Sequence, residues 1–195
     1  MSMNVLNIFS MASSLSSMQR YSQTFLNKKE SVLEHTGFVV LFCCLVAQEL
    51  IAIGRKVDLG LLLSKAALHD IDEIITGDIP RPTKYFDEET RKNFEKIEVS
   101  GMVNLIKSMD LCQSTFLIWK GSKDGYEGTI VAIADVAAVA FKSWEETELL
   151  GNKMFSHNAN NLESHLNKIL LSVDDEFLKG IVVDLLKLTR KAQWK

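Results

Sequence analysis

Apolar residues recur at intervals of three and four along most of this chain, which is the spacing of one buried helix face. The two prolines, Pro80 and Pro82, fall in one short stretch, so the long segments on either side contain no helix breaker. No pair of strand-like segments, repeat or linker interrupts the pattern. The pattern therefore predicts an all-α helical bundle, and the length of 195 residues predicts a single domain covering 1–195.

The same spacing places seven helices along the chain. Gly54 is expected to end the second helix, because glycine readily adopts the left-handed conformation that terminates helices, and Asp58 is expected to cap the third. A short helical turn should follow residue 69, and a loop should cover 77–82. The predicted helices are 5–20, 32–53, 59–69, 88–109, 126–148, 162–171 and 174–192.

Composition narrows the class of protein. With 47% hydrophobic residues and a net charge of −3, the chain is expected to be soluble and to lack the basic surface that binds a nucleic-acid polymer. The N-terminus has no basic region followed by a long apolar stretch, so no signal peptide is expected. The most apolar segment, 38–53, is short and carries Gln48 and Glu49, which favours a buried helix over a membrane span. We therefore expect a cytoplasmic protein without a membrane partner.

The chain has three cysteines, Cys43, Cys44 and Cys112. An odd number, with two adjacent in an apolar run, is not typical of a disulfide framework. Reduced cysteines buried in the core are the favoured interpretation. Cys43 and Cys44 as metal ligands are the alternative.

Residue types that bind metals occur on three of the predicted helices. His69 and Asp70 lie at the end of the third, and His35 lies near the start of the second. Asp135 lies within the apolar run IVAIADVAAVAF at 130–141. Each has an ordinary structural explanation, such as a core histidine, a solvated carboxylate or an ion pair. Together, two imidazoles and two carboxylates predict a mixed nitrogen and oxygen site for Mn²⁺, Co²⁺, Fe²⁺ or Zn²⁺.

Such an ion would lower the pKa of a bound water and polarise a phosphoryl group. Glu73 lies three residues after Asp70 on the same helix face, so it is a candidate general acid or base, with a surface glutamate as the alternative. His157 and His165 lie in a polar stretch and are expected to be solvated. The residues alone therefore favour a metal-dependent hydrolase.

The set of a histidine, a His-Asp pair and a final aspartate resembles the metal ligands of the HD-domain phosphohydrolases. Residues 69–86, HDIDEIITGDIPRPTKYF, resemble more closely the YfbR-like 5′-deoxynucleotidases. The similarity extends over most of 15–152. It is also carried by Met18-Gln19-Arg20, Glu34-His35, the IVAIAD run at 130–135 and Gly151-Asn152.

The resemblance implies a phosphohydrolase of deoxynucleotides with one divalent metal, Co²⁺, Mn²⁺ or Zn²⁺, and a homodimeric state. It implies Glu73 as catalytic acid or base and Arg20 as the residue that orients the phosphate. The implied metal ligands are His35, His69, Asp70 and Asp135. The implied substrate-binding residues are Arg20, Tyr21, Asp78, Ile79, Pro80, Arg81, Lys84 and Asp135.

Two positions depart from the family pattern. Tyr21 stands where these nucleotidases usually have a tryptophan close to the sugar. The resemblance therefore implies phosphate hydrolysis more directly than it implies selectivity for deoxyribose over ribose. Arg81 adds a cation between the two prolines, which would suit further phosphates. The leading hypothesis is a 5′-nucleotidase that releases phosphate from deoxynucleoside monophosphates. The alternatives are a deoxynucleoside triphosphate triphosphohydrolase, acting for example on dATP, and a catalytically silent nucleotide-binding protein.

Overall fold

The computed structural model describes residues 4–191, with the side chains of 4–155 and 162–191. These residues form α-helices, and two short turns of other helical type lie between α8 and α9. The helices are α1 Val5–Ser17, α2 Val32–Ala52, α3 Leu59–Leu68, α4 Glu73–Thr76, α5 Arg81–Lys84, α6 Glu88–Ser108, α7 Gln113–Lys120, α8 Gly125–Trp144, α9 Ser156–Ser172 and α10 Glu176–Lys191. The predicted all-α fold is confirmed.

Side-chain caps fix the start of the helices that the sequence located best. At α2, Ser31 Oγ accepts from the Glu34 amide at 3.2 Å, and Glu34 Oε2 accepts from the Ser31 amide at 2.6 Å, which forms a capping box. Asp58 caps α3 by accepting from the Leu61 amide, and Gly54 follows α2 with φ of +84°. These local signals explain why the predicted starts of α2 and α3 agree with the structure.

Other boundaries differ from the prediction for identifiable reasons. The first helix ends at Ser17 and not at residue 20, because Gln19 pairs with Ser31 in an isolated antiparallel bridge. Helix α7 was not predicted, since it has only eight residues and its N-cap, Cys112, makes no side-chain cap hydrogen bond. Helix α5 begins within the last two residues of the predicted loop, with proline in its first turn, where proline is tolerated. The backbone of α9 begins at residue 156 and not at 162.

Helix α8 lies at the centre of the larger core, in contact with α2, α3, α9 and α10. Its buried face includes Ile130, Val131, Ile133 and Ala134, each at most 1% exposed. The smaller core joins α6 and α7 to the turn after α3, through residues such as Met102 and Trp119. The segment that follows α3 therefore lies where the two cores meet.

Helix α2 packs only one of its faces into this core. Among the described residues it is long and apolar enough to cross a membrane, judged by length and composition alone. Cys43 and Ala47 are fully buried, whereas Leu41 and Leu45 are each 59% exposed, so the predicted buried helix is buried on one side only. The expectation of buried cysteines is also wrong for Cys112, which is exposed.

A buried ion pair stabilises the turn after α8. Glu146 is fully buried and accepts from Lys142 Nζ at 3.0 Å and from the backbone amides of Asn27 and Lys28, each at 2.9 Å. Asn152 Nδ2 donates to the same carboxylate at 2.8 Å. The chain forms a π-helical turn over Glu145–Leu149 at this point. The pair holds the segment between α1 and α2 against the bundle.

Replacing Glu146 with alanine is expected to lower the free energy of unfolding by about 3–5 kcal/mol, because two backbone amides lose their acceptor and the buried Lys142 ammonium keeps only the Lys28 carbonyl and Glu145. Chemical denaturation in EDTA measures this loss. The matched control is Glu176→Ala, which removes a carboxylate that is 81% exposed and paired with Lys179, and should cost less than about 1 kcal/mol. Similar losses in the two variants would contradict the role given to Glu146.

Candidate active site

Two histidines and two aspartates from three parts of the fold converge on one point. His35 lies in the second turn of α2, His69 caps the end of α3 with Asp70 after it, and Asp135 lies in the middle of α8. One ligand atom from each residue lies within 4.8 Å of all the others. The structure thus brings together all four predicted metal ligands.

The individual distances show how closely the four residues approach. His35 Nε2 lies 3.2 Å from His69 Nε2, and it lies 3.3 Å from both Asp70 Oδ2 and Asp135 Oδ1. His69 Nε2 lies 3.1 Å from Asp70 Oδ2. Two imidazole nitrogens and two carboxylate oxygens facing one small space are a donor set that fits one divalent ion of the first transition row or zinc.

The protonation of the two carboxylates also suits a cation. Burial raises the pKa of Asp70, but His69 and His35 outweigh it and hold that pKa well below its ordinary value. For Asp135 burial again raises the pKa, and Lys123 and His35 hold it well below its ordinary value. Both groups are therefore anionic at neutral pH, as metal ligands must be.

The side chain of Glu73 points into the same region. It is the first residue of α4, and its Oε2 is buried with no hydrogen-bond partner. Burial, and then the negative charges of Asp70 and Asp78, raise the pKa of Glu73 to about 9. A carboxyl group held in its neutral form beside anionic ligands has the properties of a general acid.

Arg20 and Tyr21 reach the site from the segment between α1 and α2. Arg20 Nη1 lies 2.8 Å from His35 Nδ1 and 3.3 Å from Glu30 Oε1. Tyr21 has φ of +56°, and its amide donates to Asp78 Oδ2 at 2.8 Å, which ties this segment to the loop after α4. The Tyr21 ring meets the Phe155 ring edge to face at 5.1 Å, and its hydroxyl is buried without a partner. These contacts place Arg20 beside the metal ligand His35 and hold Tyr21 against Asp78 and Phe155.

The other predicted substrate residues lie in or near a cavity of about 350 Å³ that is lined in part by His69 and Asp70. Ile79 and Lys84 line it, and Pro80 precedes α5. Lys84 Nζ is already paired with Glu98 Oε1 at 2.5 Å, and Arg81 is exposed with its guanidinium 5.2 Å from the centre of the Tyr85 ring. These two cations are therefore less directly connected to the ligand cluster than Arg20 is.

Lys123 is a cation of the site that sequence reasoning missed. Its ammonium forms an ion pair with Asp135 and lines the cavity. It lies in the turn before α8, where Lys65 Nζ donates to the Asp124 carbonyl at 2.5 Å. A Cβ at Gly128 would lie 2.3 Å from the Lys123 carbonyl carbon, so glycine is needed there for this turn to pack. The cluster of glycines at 121, 125 and 128 was the available signal.

His165 differs from its prediction as a solvated residue. It is half-buried, and burial together with the charge of Arg81 lowers its pKa. The side chain of His157 lies outside the described residues. Neither histidine belongs to the four-residue cluster found among the described side chains.

Comparison with known proteins identifies the family. A family model described as "5′-deoxynucleotidase YfbR-like" matches residues 7–185. The chain belongs to this YfbR-like family. A 5′-deoxynucleotidase from Shewanella oneidensis is 29% identical over 168 residues, which are 82% of this chain and 84% of that protein. The resemblance inferred from residues 69–86, and with it the assignment to a family of hydrolases, is confirmed.

Solved structures share the fold. An HD-domain phosphohydrolase from Listeria innocua has a TM-score of 0.67 and 25% identity, over 96% of this chain and 97% of the other. The HD phosphohydrolase of cyanophage S-2L, solved with dA and one catalytic Zn²⁺ ion, has a TM-score of 0.57 and 18% identity, over 93% and 96%. This YfbR-like chain therefore shares its fold with the zinc-containing phosphohydrolase of the cyanophage.

The raised pKa of Glu73 predicts a pH-dependent stability of the metal-free protein. Between its ordinary value of 4.5 and about 9, the unfolded chain releases this proton while the folded chain retains it, so stability falls as pH rises. Glu73→Gln removes this loss. In EDTA at pH 8.5 the variant should be more stable than the unmodified protein by about 1–3 kcal/mol, and the gap should narrow at pH 5. Urea denaturation at both pH values measures it, and a gap that does not widen with pH would contradict the burial argument.

Proposed function

We propose that this YfbR-like chain is a metal-dependent 5′-deoxynucleotidase that hydrolyses deoxynucleoside monophosphates to deoxynucleosides and phosphate. The observation that carries the proposal is the convergence of His35, His69, Asp70 and Asp135 within 4.8 Å, with Glu73 and Arg20 adjoining them. Family membership supports it, because relatives such as the Shewanella oneidensis protein are named 5′-deoxynucleotidases.

The residues divide the chemistry among them. His35, His69, Asp70 and Asp135 would hold a divalent ion, which when bound would act as a Lewis acid and lower the pKa of a water molecule. Glu73, neutral and buried in the metal-free protein, donates a proton to the departing 5′-oxygen. Arg20 supplies a permanent cation with a planar donor set that suits a phosphate. Lys123, which lines the cavity and pairs with Asp135, supplies a further cation.

We propose that the sugar of the nucleotide binds between the segment before α2 and the loop after α4, which the bond between Tyr21 and Asp78 joins. Asp78 Oδ2 accepts the Tyr21 amide, which leaves its second oxygen for a sugar hydroxyl. The Tyr21 ring is fixed against Phe155 and offers an apolar surface to C2′ of deoxyribose. Its buried hydroxyl has no partner and is the group with which a ribose 2′-hydroxyl would pair. We therefore propose deoxyribose selectivity that is weaker than a tryptophan at position 21 would give.

The names of the curated relatives favour a monophosphate substrate over a triphosphate. Lys84 is paired with Glu98 and Arg81 is not among the residues that line the cavity, so these two cations are less available to a triphosphate there than the sequence suggested. The finer assignments are proposals of the same kind: Co²⁺, Mn²⁺ or Zn²⁺ as the ion, a small deoxynucleotide as the ligand and the cytoplasm as the location.

A substrate panel tests the proposed function. The four deoxynucleoside monophosphates, their ribonucleotide counterparts and the four deoxynucleoside triphosphates are each incubated with Mn²⁺, Co²⁺ or Zn²⁺, and the phosphate products are identified. We expect inorganic phosphate from the deoxynucleoside monophosphates, slower release from ribonucleotides, and none from an Asp70→Ala variant.

Each contrary result has a distinct meaning. Tripolyphosphate released from a deoxynucleoside triphosphate would establish the triphosphohydrolase instead. Equal rates for ribonucleotides and deoxynucleotides would contradict the role of Tyr21. Absence of turnover with every metal would contradict the proposed hydrolase activity.

We also propose that the chain is a homodimer through the exposed face of α2. Leu41 and Leu45 lie on this face, beside the stacked rings of Phe38, Phe42 and Phe141. An apolar surface of this kind is typical of a site for protein association. Light scattering should give twice the chain mass for the unmodified protein and a monomer for Leu41→Glu/Leu45→Glu. A monomeric unmodified protein would contradict the dimer.

A further inference from the structure

The second ring nitrogen of His35, Nδ1, contacts residues outside the set of four metal ligands. His35 Nδ1 lies 2.8 Å from Arg20 Nη1. A guanidinium nitrogen is always a donor, so Nδ1 must be the acceptor in this contact and the ring proton must be on Nε2. That nitrogen lies 3.3 Å from a carboxylate oxygen of Asp70 and from one of Asp135, which are suitable acceptors.

A metal ion on His35 requires the opposite distribution of the proton. The cluster uses Nε2 as the ligand atom, and a ligand nitrogen cannot carry a proton. In a neutral ring the proton is then on Nδ1, where it faces the N–H of Arg20. Two donors cannot share a contact of 2.8 Å. The contact between Arg20 and His35 and the occupied metal site therefore exclude each other.

Glu30 is placed to accept a hydrogen bond from His35 Nδ1 when that nitrogen carries the proton. Its Oε1 lies 3.9 Å from His35 Nδ1 and 3.3 Å from Arg20 Nη1, so the three groups form a triangle. The other oxygen, Oε2, is buried and has no hydrogen-bond partner, which is costly for a carboxylate. The backbone of Glu30 is fixed, because its carbonyl accepts from the Arg20 amide at 2.9 Å. The carboxylate can therefore reach His35 by a small side-chain rotation.

We propose that Glu30 is a positioning residue that holds His35 in the tautomer required for metal binding and thereby frees Arg20 to meet the substrate phosphate. The proposal rests on the metal site of the proposed function and adds a link between its parts. With His35 Nε2 committed to a metal, the contact between His35 Nδ1 and Arg20 would be lost, and with Arg20 committed to a phosphate, the competitor for His35 Nδ1 would be removed. Each ligand thus favours binding of the other, as linkage requires.

Metal affinity tests the role of Glu30 without reference to activity. Zn²⁺ dissociation constants are measured by competition with a chelator for the unmodified protein, Glu30→Ala and Glu30→Gln. Loss of a residue that orients a ligand histidine should weaken binding about 10- to 100-fold in Glu30→Ala. Glu30→Gln should recover part of this loss, because an amide oxygen still accepts from Nδ1.

The comparison of the two variants separates hydrogen bonding from charge. Both lack the negative charge, so equal affinities in Glu30→Ala and Glu30→Gln would overturn the positioning role. Unchanged affinity in Glu30→Ala would overturn it as well. Glu163→Ala, which removes a carboxylate paired with Arg190 on α9 and α10, is the control and should retain full affinity. Failure of the unmodified protein to bind metal would overturn the proposed site itself, and this inference with it.

The tautomer of His35 gives a second readout, in the unmodified protein. Long-range ¹H–¹⁵N correlation spectra distinguish the two neutral tautomers, and the chain has only four histidines to assign. We expect the proton on Nε2 in the metal-free protein and on Nδ1 after Zn²⁺ is added. A proton on Nδ1 of the metal-free unmodified protein would overturn the proposal.

Discussion

Two partly buried carboxylates that face the same small space are the constraint on which the rest of the site depends. Asp70 lies in the turn after α3 and Asp135 lies in α8, and each has an oxygen 3.3 Å from the same nitrogen of His35. One oxygen of each carboxylate lies within 4.8 Å of the other. Two negative charges this close are unfavourable away from water unless cations compensate them. The surroundings supply cations, since Lys123 pairs with Asp135 and Arg20 lies behind His35. A divalent ion at the centre would satisfy the same requirement more directly.

The packing of the helical bundle holds those carboxylates in place. Small residues on α8 allow α2 and α3 to approach it closely, which brings His35, His69 and Asp135 to one point. The segment before α2 is fixed separately, by the buried Glu146 and by the bond between the Tyr21 amide and Asp78. Arg20 and Tyr21, which lie on this segment, are thus held against the bundle by polar contacts and not by the hydrophobic core.

Local signals predicted much of the fold and the chemical types of the site. Apolar spacing, with Gly54 as the predicted end of α2 and Asp58 as the predicted cap of α3, located both helices to within a residue or two. The metal ligands could be inferred because histidine and aspartate at the end of a helix, and an aspartate in an apolar helix, need a reason for their burial. Residues 69–86 then identified the family.

The features that were missed depend on contacts between distant segments. Lys123 is significant only because Gly128 lets its turn pack against α8, and Glu30 only because it meets Arg20 and His35 in space. Helix α7 has no side-chain cap and too few residues for a clear periodicity, and is positioned by the bond from Trp119 to Asp72. No local pattern in the sequence records such pairings.

The central claim is that one divalent ion at the four ligands is required for phosphate release, and a metal titration tests it most directly. Zn²⁺, Mn²⁺ or Co²⁺ is added to EDTA-treated protein while binding and dAMP hydrolysis are followed together. The structure predicts that activity rises with the binding of one ion per chain and that Asp135→Ala loses both. Full hydrolysis in the presence of EDTA, or unchanged metal affinity in Asp135→Ala, would contradict it.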